Sequence, residues 1–169
     1  MPANIEIKAY AREFEALRTL AERLSDTPCQ VIPQVDTFFN CPSGRIKLRE
    51  LGPWHAQLVY YHRPDVEGPK HSEYHIFETN DPLGLKEILS QAYGTRGVVT
   101  KVRNLYLVGQ TRIHLDEVEG LGKFIELEVV LNPGQSDEEG RAVAEALAHK
   151  LGIQPDDLIE GAYMDLLER

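Results

Sequence analysis

The chain of 169 residues is long enough for one domain with a sizeable core and too short for two, and its 42% hydrophobic and 27% charged content is that of a globular protein. No apolar run approaches the roughly 18 residues of a membrane span, and a formal net charge of −9 opposes both wrapping nucleic acid and docking on an anionic membrane. We therefore expect residues 1–169 to form a single domain without nucleic-acid or membrane partners, in which any polyanionic ligand must find a local concentration of cations. The segment Met1 to Tyr10 has no basic stretch followed by an apolar one, so a cytoplasmic location is expected. Cys29 and Cys41 are too few for a disulfide scaffold and read as free thiols, small buried hydrophobes.

In chain order, Asn4 to Ala9 alternates polar and apolar residues, the period of a half-buried strand. Phe14, Leu17, Leu20, Ala21 and Leu24 fall at helical spacing within Arg12 to Leu24, and Pro28 follows. Val31 to Asn40 is rich in β-branched and aromatic residues and leads through the turn Cys41 to Gly44 into Arg45 to Leu51, a hairpin. Gly52-Pro53 precedes a strand over Trp54 to Arg63, and the loop Pro64 to Pro69 precedes another over Lys70 to Thr79. Asp81-Pro82 can cap and open a helix that ends at Gly94. Three further strands, Val98 to Val108, Thr111 to Val118 and Leu121 to Leu131, follow with two-residue breaks. Ser136 with Glu139 three residues on begins a helix that ends at Gly152, and a last helix is expected from Pro155 to Leu167.

Side chains at i, i+2 and i+4 of a strand share one face. One face of the third strand carries Arg45, Lys47 and Arg49, and the sixth pairs Lys101 with Arg103. The first aligns Asn4, Glu6 and Lys8, the seventh Arg112, His114 and Asp116, and the eighth Glu126 and Glu128. Each stripe alone reads as the solvated face of an antiparallel strand. Five such stripes opposite good apolar faces, in a chain with helices that need an apolar sheet to pack on, point to an α+β fold whose eight-stranded antiparallel sheet closes into a barrel. Helices would lie outside it and charges within. That face holds seven cations (Lys8, Arg45, Lys47, Arg49, Lys101, Arg103, Arg112) and four carboxylates (Glu6, Asp116, Glu126, Glu128), an excess of three positive charges that matches a triphosphate, with Arg63 and Lys70 as further candidates. The carboxylates are hard oxygen donors suited to Mg²⁺ or Mn²⁺. No common phosphate loop, dinucleotide fingerprint or zinc helix offers a rival explanation. His114 could assist proton transfer or bind phosphate. Trp54, Phe38 and Phe39 read as core aromatics.

Ile5-Glu6-Ile7-Lys8, Asp36 to Phe39, Arg45-x-Lys47-x-Arg49, Tyr61 to Pro64, Lys101-x-Arg103 and the run from Arg112 to Glu128 resemble the CYTH superfamily of triphosphate tunnel metalloenzymes, over nearly the whole chain. Class IV adenylyl cyclases are the most similar branch. The resemblance implies a β tunnel in which Lys8, Arg45, Lys47, Arg49, Lys101, Arg103 and Arg112, with Arg63 and Lys70, bind triphosphate. It also implies that Glu6, Asp116, Glu126 and Glu128 hold Mg²⁺ or Mn²⁺ and, with Lys8, serve catalysis. It places Tyr163 near a tunnel mouth. ATP cyclisation is the leading activity implied. Hydrolysis of inorganic, thiamine or nucleoside triphosphate, and non-catalytic polyphosphate binding, are the alternatives, and a homodimer would fit the family. Asn4 departs from the family's E-x-E-x-K pattern, where the first position is Glu, so one metal ligand would be an uncharged amide.

Overall fold

A computed structural model describes residues 2–169. Its elements are β1 (Ala3–Tyr10), α1 (Phe14–Leu24), β2 (Gln30–Phe39), β3 (Arg45–Gly52), β4 (His55–His62), β5 (Lys70–Thr79), α2 (Pro82–Tyr93), β6 (Thr95–Val108), β7 (Thr111–Val118), β8 (Gly122–Val130), α3 (Asp137–Leu151) and α4 (Tyr163–Leu167). The strands pair antiparallel in the order β1-β5-β4-β3-β2-β6-β7-β8, and β8 returns to β1 to close the barrel.

Alternation along each strand decides what lies outside. Ile5 and Ile7 of β1, Ile113 and Leu115 of β7, and Ile125, Leu127 and Val129 of β8 point outward and are buried under α1 and α3. Each such side chain contributes about 1.5–3 kcal/mol on burial. A smaller cluster of Phe39, Leu48, Ala56 and Leu89 seats α2 on β2, β3 and β4. The helices start where local chemistry directs. Asp81 accepts from the Gly84 amide, and Ser136 and Glu139 form a reciprocal capping box at the start of α3.

Register then determines which inward charges meet. Glu6 faces Glu128 and Lys8 faces Glu126 across β1 and β8, while Arg112 faces Glu128 and His114 faces Glu126 across β7 and β8. Arg49 faces Asp36 across β2 and β3, and Arg103 faces Asp116 across β6 and β7.

Three expectations are corrected. The last helix is not continuous from Pro155 to Leu167 but a 3-10 turn at Pro155–Asp157 followed by the short α4. Between them, the Ile159 amide donates to the Lys8 carbonyl at 2.9 Å, and Gly161 turns the chain at φ 82°, a conformation open to glycine. Trp54 is not core. It occupies the β3–β4 turn with 78% of its surface exposed. Cys29 and Cys41 are free thiols as expected, yet half-buried rather than buried. Among the described residues no helix is long and apolar enough to cross a membrane.

Helix α3 approaches the barrel wall at Gly140, where an added Cβ would stand 2.5 Å from Leu131 Cδ2 and 2.7 Å from Ile5 Cγ1. Ile5 is fully buried, so the wall has little room to give. Gly140→Ala should lower stability by about 1–3 kcal/mol, although alanine is favoured over glycine in a helix by about 1 kcal/mol. Urea unfolding would read this, and a stabilised variant would mean that the helix–barrel contact is loose.

Candidate active site

The barrel encloses a cavity of about 340 Å³. Its walls carry Lys8, Lys47, Arg49, Arg63, Lys101, Arg103 and Arg112 against Glu6, Asp36, Glu126 and Glu128, seven cations and four carboxylates, a formal excess of three positive charges. The size of the excess agrees with the sequence reading, but two members have been exchanged. Arg45 is not on the cavity wall. Its guanidinium bonds Asp65 (2.9 and 3.0 Å) and Asp165 (2.7 Å). Arg63, which follows β4, takes its place and pairs with Glu6. Asp116 is also absent from the wall. Fully buried, it receives Arg103 Nε and Nη2 at 2.9 and 2.8 Å and the Tyr163 hydroxyl at 2.9 Å. Its place among the acids is taken by Asp36. Lys70 is buried too, and its ammonium donates to the carbonyls of Val66 (2.8 Å) and Ile159 (3.3 Å) rather than to the cavity.

Two buried carboxylates hold the basic wall together. Asp36 receives Arg49 Nε and Nη2 at 2.9 and 2.8 Å, and Lys47 and Lys101 stand 3.2 and 3.3 Å from its Oδ2. Burial alone would raise its pKa, yet the three cations hold it well below the usual carboxylate range. Asp116 fixes Arg103 in the same bidentate way. In β2, sequence reasoning gave Asp36 only secondary weight. The available signal was an acid on the inward face, two positions from Phe38, in a strand otherwise rich in β-branched and aromatic residues.

The cavity acids are less firmly tied. Glu126 lies 3.5 Å from both Lys8 Nζ and Arg103 Nη2 and 3.3 Å from His114 Nδ1, and Glu128 lies 3.6 Å from Arg112 Nε. Burial raises the pKa of Glu6, with Arg63 opposing and Glu128 and Glu126 reinforcing the rise. Burial also pushes His114 down, which favours a neutral imidazole. Three polar atoms on the wall have no partner: Asn4 Oδ1, Arg63 Nε and His114 Nε2.

Whether a divalent metal fits can be judged from the donors. Among the described residues no three acids, histidines or cysteines converge to form a ready-made metal cage. Glu6, Glu126, Glu128 and the orphaned Asn4 amide oxygen nevertheless line one cavity, all hard oxygen donors. Mg²⁺ takes one or two protein carboxylates and completes its shell with water and phosphate, so this set suits it. Asp116 lies off this wall, with both oxygens accepting from Arg103.

An antiparallel barrel closed around a charged cavity, with its apolar surface turned out to helices, is a tunnel fold. The CYTH domain model matches residues 2–163, and the chain belongs to the CYTH domain family. Solved structures share the fold. The PH1012 protein of Pyrococcus horikoshii is 25% identical with a TM-score of 0.86, covering 96% of this chain and 98% of its own. A Vibrio parahaemolyticus protein proposed as an adenylate cyclase is 20% identical with a TM-score of 0.78, covering 98% of each chain. A Hippeastrum protein proposed as an adenylyl cyclase, with a dominant triphosphatase activity, is 19% identical with a TM-score of 0.66, covering 90% of this chain and 89% of its own. No curated protein matches the sequence.

Two expectations follow from the electrostatics. Replacing Asp36 leaves buried Lys101 and the half-buried Lys47 and Arg49 without their anion, so Asp36→Asn should cost about 3–5 kcal/mol of stability. Tripolyphosphate should raise the melting temperature of that variant more than that of the wild type, because the ligand replaces the missing charge. An equal shift in both would show that the cluster does not face the ligand. Burial also lowers Lys8 to about 7, against the pull of Glu126. A bound polyanion selects the protonated lysine, so affinity should fall as pH rises from 7 to 9, by up to about tenfold per unit. Lys8→Arg should flatten the profile, as read by calorimetry. A pH-independent wild-type affinity would exclude a titrating charge at Lys8.

Proposed function

We propose that the protein is a divalent-metal-dependent enzyme acting on a triphosphate, with ATP cyclisation to cyclic AMP and pyrophosphate as its reaction. The observation that carries the reading is the enclosed excess of three positive charges beside three carboxylates that no buried cation holds bidentately. Lys47, Lys101 and Arg103, fixed by Asp36 and Asp116, bind the phosphates. Glu6, Glu126 and Glu128, with the Asn4 amide oxygen, would hold Mg²⁺ or Mn²⁺, which when bound supplies charge neutralisation at the phosphates.

In cyclisation the ribose 3′-oxygen displaces pyrophosphate at the α-phosphorus, and the hydroxyl proton is released to water. The residues of the site have separable tasks. The basic wall binds the leaving pyrophosphate and stabilises its growing charge. Glu126 stays ionised because Lys8, His114 and Arg103 outweigh its burial. Hydrolysis at the terminal phosphorus would use the same groups, and the Hippeastrum protein of the same fold is a precedent for it. Inorganic or thiamine triphosphate would then be the candidate substrates.

Incubation with ATP and Mg²⁺ or Mn²⁺ should give cyclic AMP and pyrophosphate in equal amounts. Orthophosphate without cyclic AMP would replace the cyclase reading by the triphosphatase one, and binding without turnover would replace both by a polyphosphate-binding module. In the active protein, Glu126→Gln and Glu128→Gln should each reduce turnover at least tenfold, about 1.4 kcal/mol of transition-state stabilisation, while tripolyphosphate still binds. Wild-type turnover in both variants across a metal titration would remove the metal assignment.

A further inference from the structure

Across β7 and β8, His114 lies directly opposite Glu126, and Arg112 opposite Glu128. The His114 side chain keeps 1% of its surface, lines the cavity, and holds its two ring nitrogens in unlike surroundings. Nδ1 stands 3.3 Å from Glu126 Oε2, whereas Nε2 is buried with no partner. An ionised carboxylate can only accept a hydrogen bond, so Nδ1 carries the proton that Glu126 receives. In the neutral ring the lone pair is then on Nε2.

Such a lone pair does not serve phosphate, whose oxygens are acceptors themselves. It calls for a proton donor or a cation, and among the described residues no donor reaches it. Arg103 is held by Asp116, and Arg112 stands beside Glu128. A histidine that donates one N–H to a carboxylate and leaves its other nitrogen free is the arrangement by which proteins aim an imidazole at a metal ion. Glu128 can supply the matching oxygen. It is the next inward residue of β8, diagonal to His114, and Arg112 Nε is 3.6 Å from it. Glu126 is less free to do so, with Oε2 facing His114 and Arg103 and Oε1 facing Lys8.

From this placement we infer that His114 is a nitrogen ligand for the divalent ion of the site, with Glu128 as its carboxylate partner and Glu126 as the residue that aims the ring. This rests on the metal-dependent reading and deepens it, by adding a donor outside the carboxylate set and naming the class of ion it favours. Mg²⁺ is hard and keeps to oxygen, whereas imidazole nitrogen suits first-row transition ions, so the site takes Mn²⁺ in preference to Mg²⁺. Two side chains leave the remaining positions to water and phosphate oxygens, which agrees with the absence of a three-residue metal cluster among the described residues.

Electron spin echo spectroscopy of bound Mn²⁺ detects coordinated nitrogen without turnover. The untagged chain has six histidines. A variant with His55, His62, His71, His75 and His149, all exposed or half-buried, replaced by Gln leaves His114 as the single imidazole. Wild type and this variant should both show nitrogen modulation of the Mn²⁺ signal, with a frequency that changes when the histidine is labelled with heavy nitrogen. His114→Gln should abolish the modulation and weaken Mn²⁺ by about tenfold but Mg²⁺ by less than about threefold, as read by calorimetry. Bound Mn²⁺ without nitrogen modulation would overturn the assignment. So would modulation lost from the five-glutamine variant or kept in His114→Gln. Absence of Mn²⁺ binding, with and without one equivalent of tripolyphosphate, would remove the metal reading itself, and this proposal with it.

Discussion

Cations buried in a protein interior repel one another and lose their hydration, so they persist only around fixed negative charge. Asp36 and Asp116 supply it. Each sits on an inward strand face, directly opposite the arginine it binds in a two-point bond, because antiparallel register places Asp36 against Arg49 and Asp116 against Arg103. Lys47 and Lys101 then gather on Asp36. Even so, the cavity remains short of negative charge, a shortfall that a bound polyanion would offset. The same constraint explains why the helices lie outside, since the apolar face of each strand is the only one they can cover.

The end of the barrel closed by the C-terminal segment depends on the same electrostatics. Arg45, Arg63, Lys8 and Lys70 all donate to the loop or C-terminal segment, partly to backbone carbonyls, and so lend cations to architecture that the ligand site could otherwise use. Tyr163 joins the two systems, with its hydroxyl on Asp116 and its ring under Lys8 and Lys101. A change in the C-terminal segment would therefore reach Arg103 through one shared carboxylate.

Most of this architecture was legible in the sequence because strand alternation is local: Glu126 and Glu128 must share a face whatever their partners, and so must Lys47 and Arg49. The eight strands and the capped helices followed from the same local signals. What was not legible was how far along its strand an inward residue stops being cavity wall. Arg45 and Asp116 have the right parity but lie at the closed end, while Arg63 and Asp36 reach the cavity in their stead. That boundary is set by residues 158–167, which have a glycine turn and a five-residue helix instead of a period, and by contacts between residues 120 positions apart such as Arg45 and Asp165. Trp54 misled for a related reason. Its size suggests core, but it falls in a two-residue hairpin turn, where no second layer covers it.

The central claim is that the barrel is a receptor for a chain of phosphates rather than for a single anion. Calorimetric titration with orthophosphate, pyrophosphate and tripolyphosphate at one ionic strength tests it most directly. Affinity should rise by at least about tenfold, or 1.4 kcal/mol, with each added phosphate, at one site per chain. Three anions that bind alike, or none that binds, would contradict the account.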